Sequence, residues 1–194
     1  MNFDRYRLRK GLILAFHGCD ASTAAEVISQ GQHLRASENA YDWLGSGVYF
    51  WENNPERAYE WARAAQMRGR IQSPAVVGAV LDLGLCLDLT ETVGCEEVAE
   101  AFAMYQKSAA KGWTAPIREN SGGPDSLMRH RDCDVISLLH TLRQARQTPP
   151  FASVRAAFHE GGELYPGAGF SRKSHIQICL RDTASILGYF SPIE

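Results

Sequence analysis

Two short segments of the sequence place hydrogen-bonding or aromatic residues beside glycines, a combination that suits ligand binding. The first is Phe16-His17-Gly18, in which an imidazole stands next to a residue without a side chain. The second is residues 45–51, GSGVYFW, in which three large aromatic residues follow two glycines. Glycine lets a ligand approach the backbone closely, and aromatic rings bind flat ligands by stacking. Both segments therefore favour a site for a flat ligand with polar groups.

A third segment, late in the chain, adds acidic groups and a strand with polar side chains. Glu160 and Glu163 flank two glycines, and Glu160 directly follows an apolar run. Polar and apolar residues alternate from His175 to Cys179, as in a half-buried strand, so residues 175, 177 and 179 are expected to share one face. Taken singly, each segment also fits an ordinary role as core aromatics, a hydrogen-bonded histidine or a solvated turn. Their order along the chain strengthens the functional interpretation.

The elements that must position these residues are predicted from hydrophobic periodicity and capping residues. Residues 12–16, LILAF, are an apolar run typical of a buried strand that presents His17 at its end. Asn54-Pro55 predicts the start of a helix that runs to about Arg68. The other helices are predicted at 24–30 (behind a Thr23–Glu26 capping box), 96–111 and 134–146, and the other strands at 48–51, 75–83, 153–159, 176–180 and 186–190. The fold class is therefore α+β.

Composition limits the classes to which the chain can belong. The 194 residues are 45% hydrophobic and 22% charged, which is ordinary for a globular protein, and one domain over residues 1–194 is expected. The formal net charge of -2 argues against a basic coat for nucleic acid. No apolar run is long enough to cross a membrane, and the charged N-terminus lacks a signal-peptide core, so a cytoplasmic protein is expected. The five cysteines are scattered without CxxC spacing, which predicts neither a disulfide framework nor a metal site.

In their order, the three segments resemble the diphtheria-toxin-like ADP-ribosyltransferases, the superfamily that includes the poly(ADP-ribose) polymerases. Members carry an H-Y-E pattern on three strands, with Gly after the His and the Tyr inside a G-x-G-[IV]-Y-F segment. Here His17-Gly18 and residues 45–50, GSGVYF, match the first two parts. The resemblance covers residues 12–66 well, extends to 150–190, and is absent between them. It implies an ADP-ribosyltransferase-like split antiparallel β-sheet core with flanking helices.

The resemblance also implies a pocket for NAD+ as co-substrate, without a metal. The backbone of Gly18 would hold the nicotinamide carboxamide, and His17 would bind a hydroxyl of the adenosine ribose. Tyr49 would stack on nicotinamide through its ring. A second aromatic residue from the following helix usually completes this sandwich in the family, and Tyr59 and Trp61 are the candidates, with Trp61 expected on the helix face that carries Ala58.

At the third catalytic position this sequence departs from the family. Aligned on residues 180–184, LRDTA, the family's catalytic Glu falls at Gln177. A glutamine amide can hold the 2′-hydroxyl of the nicotinamide ribose, but it supplies no full negative charge and accepts no proton as a base. Another acid would then be needed, and Glu160 is favoured over Glu163 because it directly ends the predicted strand.

The function that the resemblance implies is mono-ADP-ribosyl transfer from NAD+ to a macromolecular acceptor, either nucleic acid or protein. Bacterial toxins and defence effectors of this class act in this way, and an antitoxin or inhibitor protein is a partner to test for. Arg118, Arg129 and Arg131 in a long polar loop, or Arg172-Lys173, are candidates for an acceptor groove, with solvated surface charge as the alternative.

Two other functions stay open. A non-enzymatic module that binds NAD or ADP-ribose would account for the missing Glu at the third position. An RNA 2′-phosphotransferase shares the fold, but the Arg and His tetrad of that family cannot be placed in this sequence. Release of free nicotinamide from NAD+ would distinguish the transferase from the binding module.

Overall fold

One sheet runs through the part of the chain that the computed structural model describes, residues 8–9 and 11–193. Its strands are β1 (Leu8–Arg9), β2 (Ile13–Asp20), β3 (Val48–Glu52), β4 (Pro74–Leu81), β5 (Gly84–Asp88), β6 (Ser153–Phe158), β7 (His175–Leu180) and β8 (Ile186–Phe190). Its α-helices are α1 (Ala21–Gln30), α2 (Pro55–Met67), α3 (Thr92–Ala110) and α4 (His130–Ala145). The N-terminal residues 1–7, on which the expectation about a signal peptide rests, lie outside the described residues.

The strand order is β1-β5-β6-β7-β3-β2-β4-β8. This order confirms the α+β class. Neighbouring strands are antiparallel except β5 and β6, which are parallel, so the prediction of a purely antiparallel sheet is wrong. The order also places β3 between β2 and β7. The three segments singled out in the sequence therefore lie on or beside three adjacent strands.

Apolar side chains cover the two faces of the sheet in two separate clusters. Phe50 and Ile178 belong to a cluster that α1 covers with Val27. Ala156 and Cys179 belong to the other cluster, which α3 and α4 cover. Each fully buried large side chain contributes roughly 1.5–3 kcal/mol, so these clusters fix which face of each strand points to which helix.

Strand β2 is longer than the apolar run predicted. It pairs with β4 at eight consecutive positions, from Ile13 opposite Leu81 to Asp20 opposite Pro74. His17 and Gly18 therefore lie inside the strand and not at its end. The cap of α1 also differs from the prediction, because Asp20 accepts a hydrogen bond from the Ser22 amide at 3.1 Å, where a capping box at Thr23 was expected.

The remaining differences arise where distant residues fix an element. The predicted strand 75–83 is interrupted after Leu81, and a new strand starts at Gly84, whose φ of +54° suits glycine. Helix α4 starts at His130, earlier than predicted, because the side chain of Asn120 accepts hydrogen bonds from the amides of Arg131 and Asp132. That cap comes from the long polar loop, which no local pattern indicates.

Gly18 is required by the packing of α2 on β2. A Cβ at this position would overlap the carbonyl oxygen of Ala58 and lie 3.3 Å from the Cβ of Ala62. We expect Gly18→Ala to lower the free energy of unfolding by about 1–3 kcal/mol, because the helix backbone must move to admit a methyl group. Urea unfolding measures this change. Gly188→Ala, at a strand glycine with no atom within 4 Å of the added Cβ, is the control, and an equal loss there would contradict the role of this close packing.

Candidate functional site

The ladder between β2 and β3 stops after two residue pairs, Ala15 with Glu52 and Phe16 with Trp51. His17 lies where this pairing stops. Its Nδ1 is 2.7 Å from the carbonyl oxygen of Tyr49, so a side chain satisfies a backbone group that a longer ladder would have paired. The pairing of β2 with β3 thus ends beside the histidine that the sequence singled out.

The contacts of His17 fix the protonation of its ring. A carbonyl oxygen only accepts hydrogen bonds, so Nδ1 carries the proton and Nε2 is an acceptor. Burial lowers the pKa of His17, although its hydrogen bond to Tyr49 opposes that shift, and the ring is therefore neutral at pH 7. Its Nε2 makes no hydrogen bond with any described residue, which leaves it able to accept one from a ligand hydroxyl.

The hydroxyl of Tyr49 is occupied by the turn that precedes β3. It donates a hydrogen bond to the carbonyl of Gly45 at 2.7 Å and accepts one from the amide of Leu44 at 2.9 Å. Burial raises the pKa of Tyr49, so the hydroxyl keeps its proton. The ring packs against the cluster under α3 and α4. Any role of this residue in binding a ligand therefore belongs to the ring, while the hydroxyl holds the turn.

Gln177 lies on β7, next to β3. It is opposite Trp51 on one side and Ala156 on the other, and His175 is opposite Phe158. The pairing of β7 with β6 is continuous from His175 to Leu180, so alternate residues of β7 point to the same face of the sheet. The prediction that residues 175, 177 and 179 share a face is therefore confirmed. Gln177 is 9% exposed, and its amide makes no hydrogen bond within the described residues.

Five rings form a continuous row across this face, which we call the aromatic row. Its members in spatial order are Trp61, Trp51, His175, Phe158 and Trp43. The centroid distances between successive rings are 6.1, 6.5, 5.8 and 4.3 Å. The guanidinium of Arg129 lies over the last of these rings, 4.3 Å from its centroid. Such a row is suited to stacking flat or cationic groups.

Two buried polar atoms in the aromatic row have no hydrogen-bond partner among the described residues. They are Nε1 of Trp51, which is a donor, and Nε2 of His175. The Nδ1 of His175 donates to the Lys173 carbonyl at 2.7 Å, which makes Nε2 an acceptor, and burial lowers the pKa of this histidine so that it is neutral. An unpaired buried polar group costs about 1–3 kcal/mol. A donor and an acceptor of this kind beside Gln177 indicate a site for a polar ligand.

Glu160 lies near this face but is engaged in an ion pair. It is 8% exposed, and its carboxylate is 2.8 Å from the guanidinium of Arg57 on α2. Burial raises the pKa of Glu160, and the charge of Arg57 opposes that shift. Glu163, the other candidate, is exposed and accepts a hydrogen bond from the amide of Gly167, so its role is to hold the turn.

The two aromatic candidates on α2 differ in their surroundings. Ala58, Ala62 and Ala65 are fully buried, whereas Trp61, which the i, i+3, i+4, i+7 spacing places on the same side of α2, is 40% exposed. Trp61 lies at the edge of the buried face of α2, where its indole contacts the indole of Trp51 with an angle of 49° between the two ring planes. Tyr59 is 45% exposed and makes no ring contact within the described residues.

The arginines predicted to line an acceptor groove are ion-paired. Arg118 binds Asp134, Arg129 binds Asp132, and Arg131 binds Glu119. Near the late turn, Arg172 donates to the Glu163 carbonyl, and Lys173 lies 3.5 Å from Glu60. These pairs compensate the positive charges locally, so most of them anchor loops to helices.

Residue spacing alone did not single out Phe158, Trp43 or Arg57. The alternation around residue 175 was a usable signal for His175, but the partners of the aromatic row come from four different elements and a loop. In the part of the chain that the structure describes, no group of three acidic, histidine or cysteine side chains could hold a metal ion. No described helix is both long and apolar enough to cross a membrane.

Comparison of the chain with models of known protein families gives no match, and a search of curated proteins gives none either. The assignment of a function therefore depends on two features of the structure: the short ladder between β2 and β3, and the aromatic row.

Removing the Tyr49 hydroxyl tests its role in the turn. We expect Tyr49→Phe to lower the free energy of unfolding by about 1–3 kcal/mol, because it leaves the buried Leu44 amide without its acceptor. Thermal or urea unfolding measures the loss. Tyr59→Phe, which removes an exposed hydroxyl from α2, is the matched control. An unchanged stability of Tyr49→Phe would show that the turn does not depend on these two hydrogen bonds.

Proposed function

We propose that this protein is an NAD+-dependent mono-ADP-ribosyltransferase with an ADP-ribosyltransferase-like fold and a macromolecular acceptor, either nucleic acid or protein. The observation that carries the proposal is the adjacency of β2, β3 and β7, with the short β2–β3 ladder interrupted at His17. The residues that the resemblance singles out thereby lie on three adjacent strands, although more than a hundred positions separate Tyr49 from Gln177.

The reaction sets three requirements for the site. The bond between the ribose C1′ and the nicotinamide nitrogen breaks, the electron pair leaves with nicotinamide, and positive charge develops on the ribose. An acceptor nucleophile then bonds to C1′ and loses a proton. The protein must therefore hold nicotinamide flat, orient the riboses and stabilise the developing cation.

The described residues offer groups that suit the nicotinamide and the two riboses. The rings of Tyr49 and Trp51 suit a flat, cationic nicotinamide, and Trp61 borders the same face. The free acceptor Nε2 of His17 suits a ribose hydroxyl. The amide of Gln177, together with the unpaired polar atoms of Trp51 and His175, suits the hydroxyls of the second ribose.

The acid–base step is assigned to Glu160. Gln177 remains uncharged, so it orients substrate and does not accept the acceptor's proton. The carboxylate of Glu160 is buried just beyond the end of β6, and burial raises its pKa toward the range useful for a base. Its ion pair with Arg57 must loosen, or be shared, when substrate binds.

A binding module for NAD or ADP-ribose without enzymatic activity is the second candidate. It is favoured by the same two features: an amide at the third position, and a nearby acid that is already paired with an arginine. In that case the unpaired atoms of the aromatic row would hold a ligand that is not cleaved.

The first test follows labelled ADP-ribose from NAD+ into a whole-cell lysate and measures nicotinamide release in parallel. We expect His17→Ala and Gln177→Ala each to reduce both signals at least about tenfold, equivalent to roughly 1.4 kcal/mol of barrier, because each removes a group that orients the reacting ribose. Digestion of the labelled product with nuclease or protease then identifies the class of acceptor.

The controls for this test are His33→Ala and Gln106→Ala, which remove exposed side chains of the same types elsewhere. Full activity of well-folded His17→Ala would contradict the transferase proposal. Binding of NAD+ without nicotinamide release by the native protein would select the binding module instead.

The pH dependence of transfer tests Glu160. Because burial raises the pKa of its carboxyl above the ordinary value of 4.5, transfer should increase as the pH rises through that shifted pKa and the base form appears. Glu160→Gln should lower kcat at least about tenfold and remove this limb of the profile.

Glu60→Gln is the matched control, because Glu60 also binds Arg57 but is half exposed. If both variants lower transfer equally and both keep the pH profile, Glu160 serves to position Arg57 and does not act as the base.

A further inference from the structure

A cavity of about 620 Å³ lies between α4, the turn before β3 and the end of β7. None of the residues that line it belongs to the aromatic row. The carbonyl of Gly45, which lines the cavity, accepts hydrogen bonds from the Tyr49 hydroxyl and, at 3.5 Å, from the Cys179 thiol. The cavity is therefore distinct from the candidate active site, but the two share this turn.

The wall contributed by α4 is polar. Ser137, His140, Thr141 and Gln144 line the cavity and follow the i, i+3, i+4, i+7 spacing of one helix face. A helix face that only covers a core is apolar, as is the face of α4 that carries the buried Val135 and Leu139. The polar face is thus turned toward an open volume rather than a packed layer.

The charge in this cavity is positive and uncompensated. Arg181 lines it and makes no ion pair within the described residues, and none of the eleven lining residues is acidic. Its guanidinium donates to Nδ1 of His140 at 3.0 Å and lies 3.4 Å from the Phe151 carbonyl. The guanidinium has further N–H groups that donate to neither of these acceptors and are available to a ligand.

His140 holds Arg181 in place. Its Nδ1 accepts the hydrogen bond from Arg181, so the proton of the neutral ring is on Nε2. Burial, together with the charges of Arg181 and Arg143, lowers the pKa of His140 to about 3, so the ring stays neutral at physiological pH. Ser46, which also lines the cavity, offers a hydroxyl as a second donor.

We propose that this cavity binds a small phosphorylated molecule of nucleotide size, with its phosphate on Arg181. A planar guanidinium matches the oxygens of a phosphate in a two-pronged contact, and its hydrogen bond to the neutral ring of His140 fixes its position without adding a competing charge. The volume lies in the usual range for small-molecule sites and exceeds what a single inorganic anion fills. The amide of Gln144 and the hydroxyl of Ser46 are placed to bind polar groups of the remainder.

Calorimetric titration of the full chain with AMP, at low ionic strength, tests the proposal. We expect AMP to bind, inorganic phosphate to compete with it, and adenosine, which lacks the phosphate, to bind at least about tenfold more weakly. Arg181→Gln should weaken AMP binding at least about tenfold while the protein stays folded by thermal unfolding, because the side chain is exposed at the surface end of the cavity. Amide NMR shifts on AMP addition should map to Gly45 and Ser46.

Two control variants distinguish binding in this cavity from binding elsewhere on the protein. Arg70→Gln removes an exposed positive charge just beyond α2 and should leave AMP binding unchanged. His17→Ala should leave the AMP affinity of the site that Arg181→Gln weakens unchanged, because His17 belongs to the other site.

Three results would overturn the proposal: equal AMP affinity of Arg181→Gln and the native protein, loss of AMP binding in His17→Ala instead, or no binding of AMP and phosphate at millimolar concentration. Binding of a 5′-phosphorylated oligonucleotide much more tightly than AMP would overturn the assignment to a small molecule and indicate a nucleic-acid end.

Discussion

The interruption of pairing between β2 and β3 is the feature on which the candidate site depends. Two neighbouring strands cannot separate without giving up backbone hydrogen bonds, and each lost bond must be replaced if the group stays buried. Here the imidazole of His17 replaces one partner of the Tyr49 carbonyl, and Ser37 pairs with Gly47 just before β3. One histidine therefore both permits the gap and presents its second nitrogen beside it.

Two groups of buried polar side chains differ in whether their hydrogen-bonding capacity is used within the protein. Arg155 on β6 binds the carboxylates of Glu52 on β3 and Asp88 on β5, and all three are largely buried. These contacts raise the pKa of the guanidinium and join three strands, but they leave little capacity for a ligand. In contrast, the aromatic row contains a buried donor and a buried acceptor with no described partner. The chemistry is therefore expected at the row and not at the arginine cluster.

The turn before β3 links the two proposed sites. The Tyr49 hydroxyl fixes the Leu44–Gly45 backbone, while the Tyr49 ring lies on the face that leads to Trp51 and Gln177. A ligand that ordered this turn from the α4 side would stabilise the ring position on the other side. Such coupling requires only that both ligands favour the same arrangement of one turn.

The sequence by itself determined the elements whose signals are local. Asn54 and Pro55 start α2 as predicted, β8 has the predicted bounds, and the alternation from His175 correctly gave the shared face, because capping and periodicity depend only on neighbours along the chain. The tertiary structure decided the rest. The parallel pairing of β5 with β6, the cap that Asn120 supplies to α4, and the ion pair that binds Glu160 to Arg57 all join residues at least eleven positions apart. The aromatic row likewise arises only when strand order brings distant rings together, and no local pattern encodes that order.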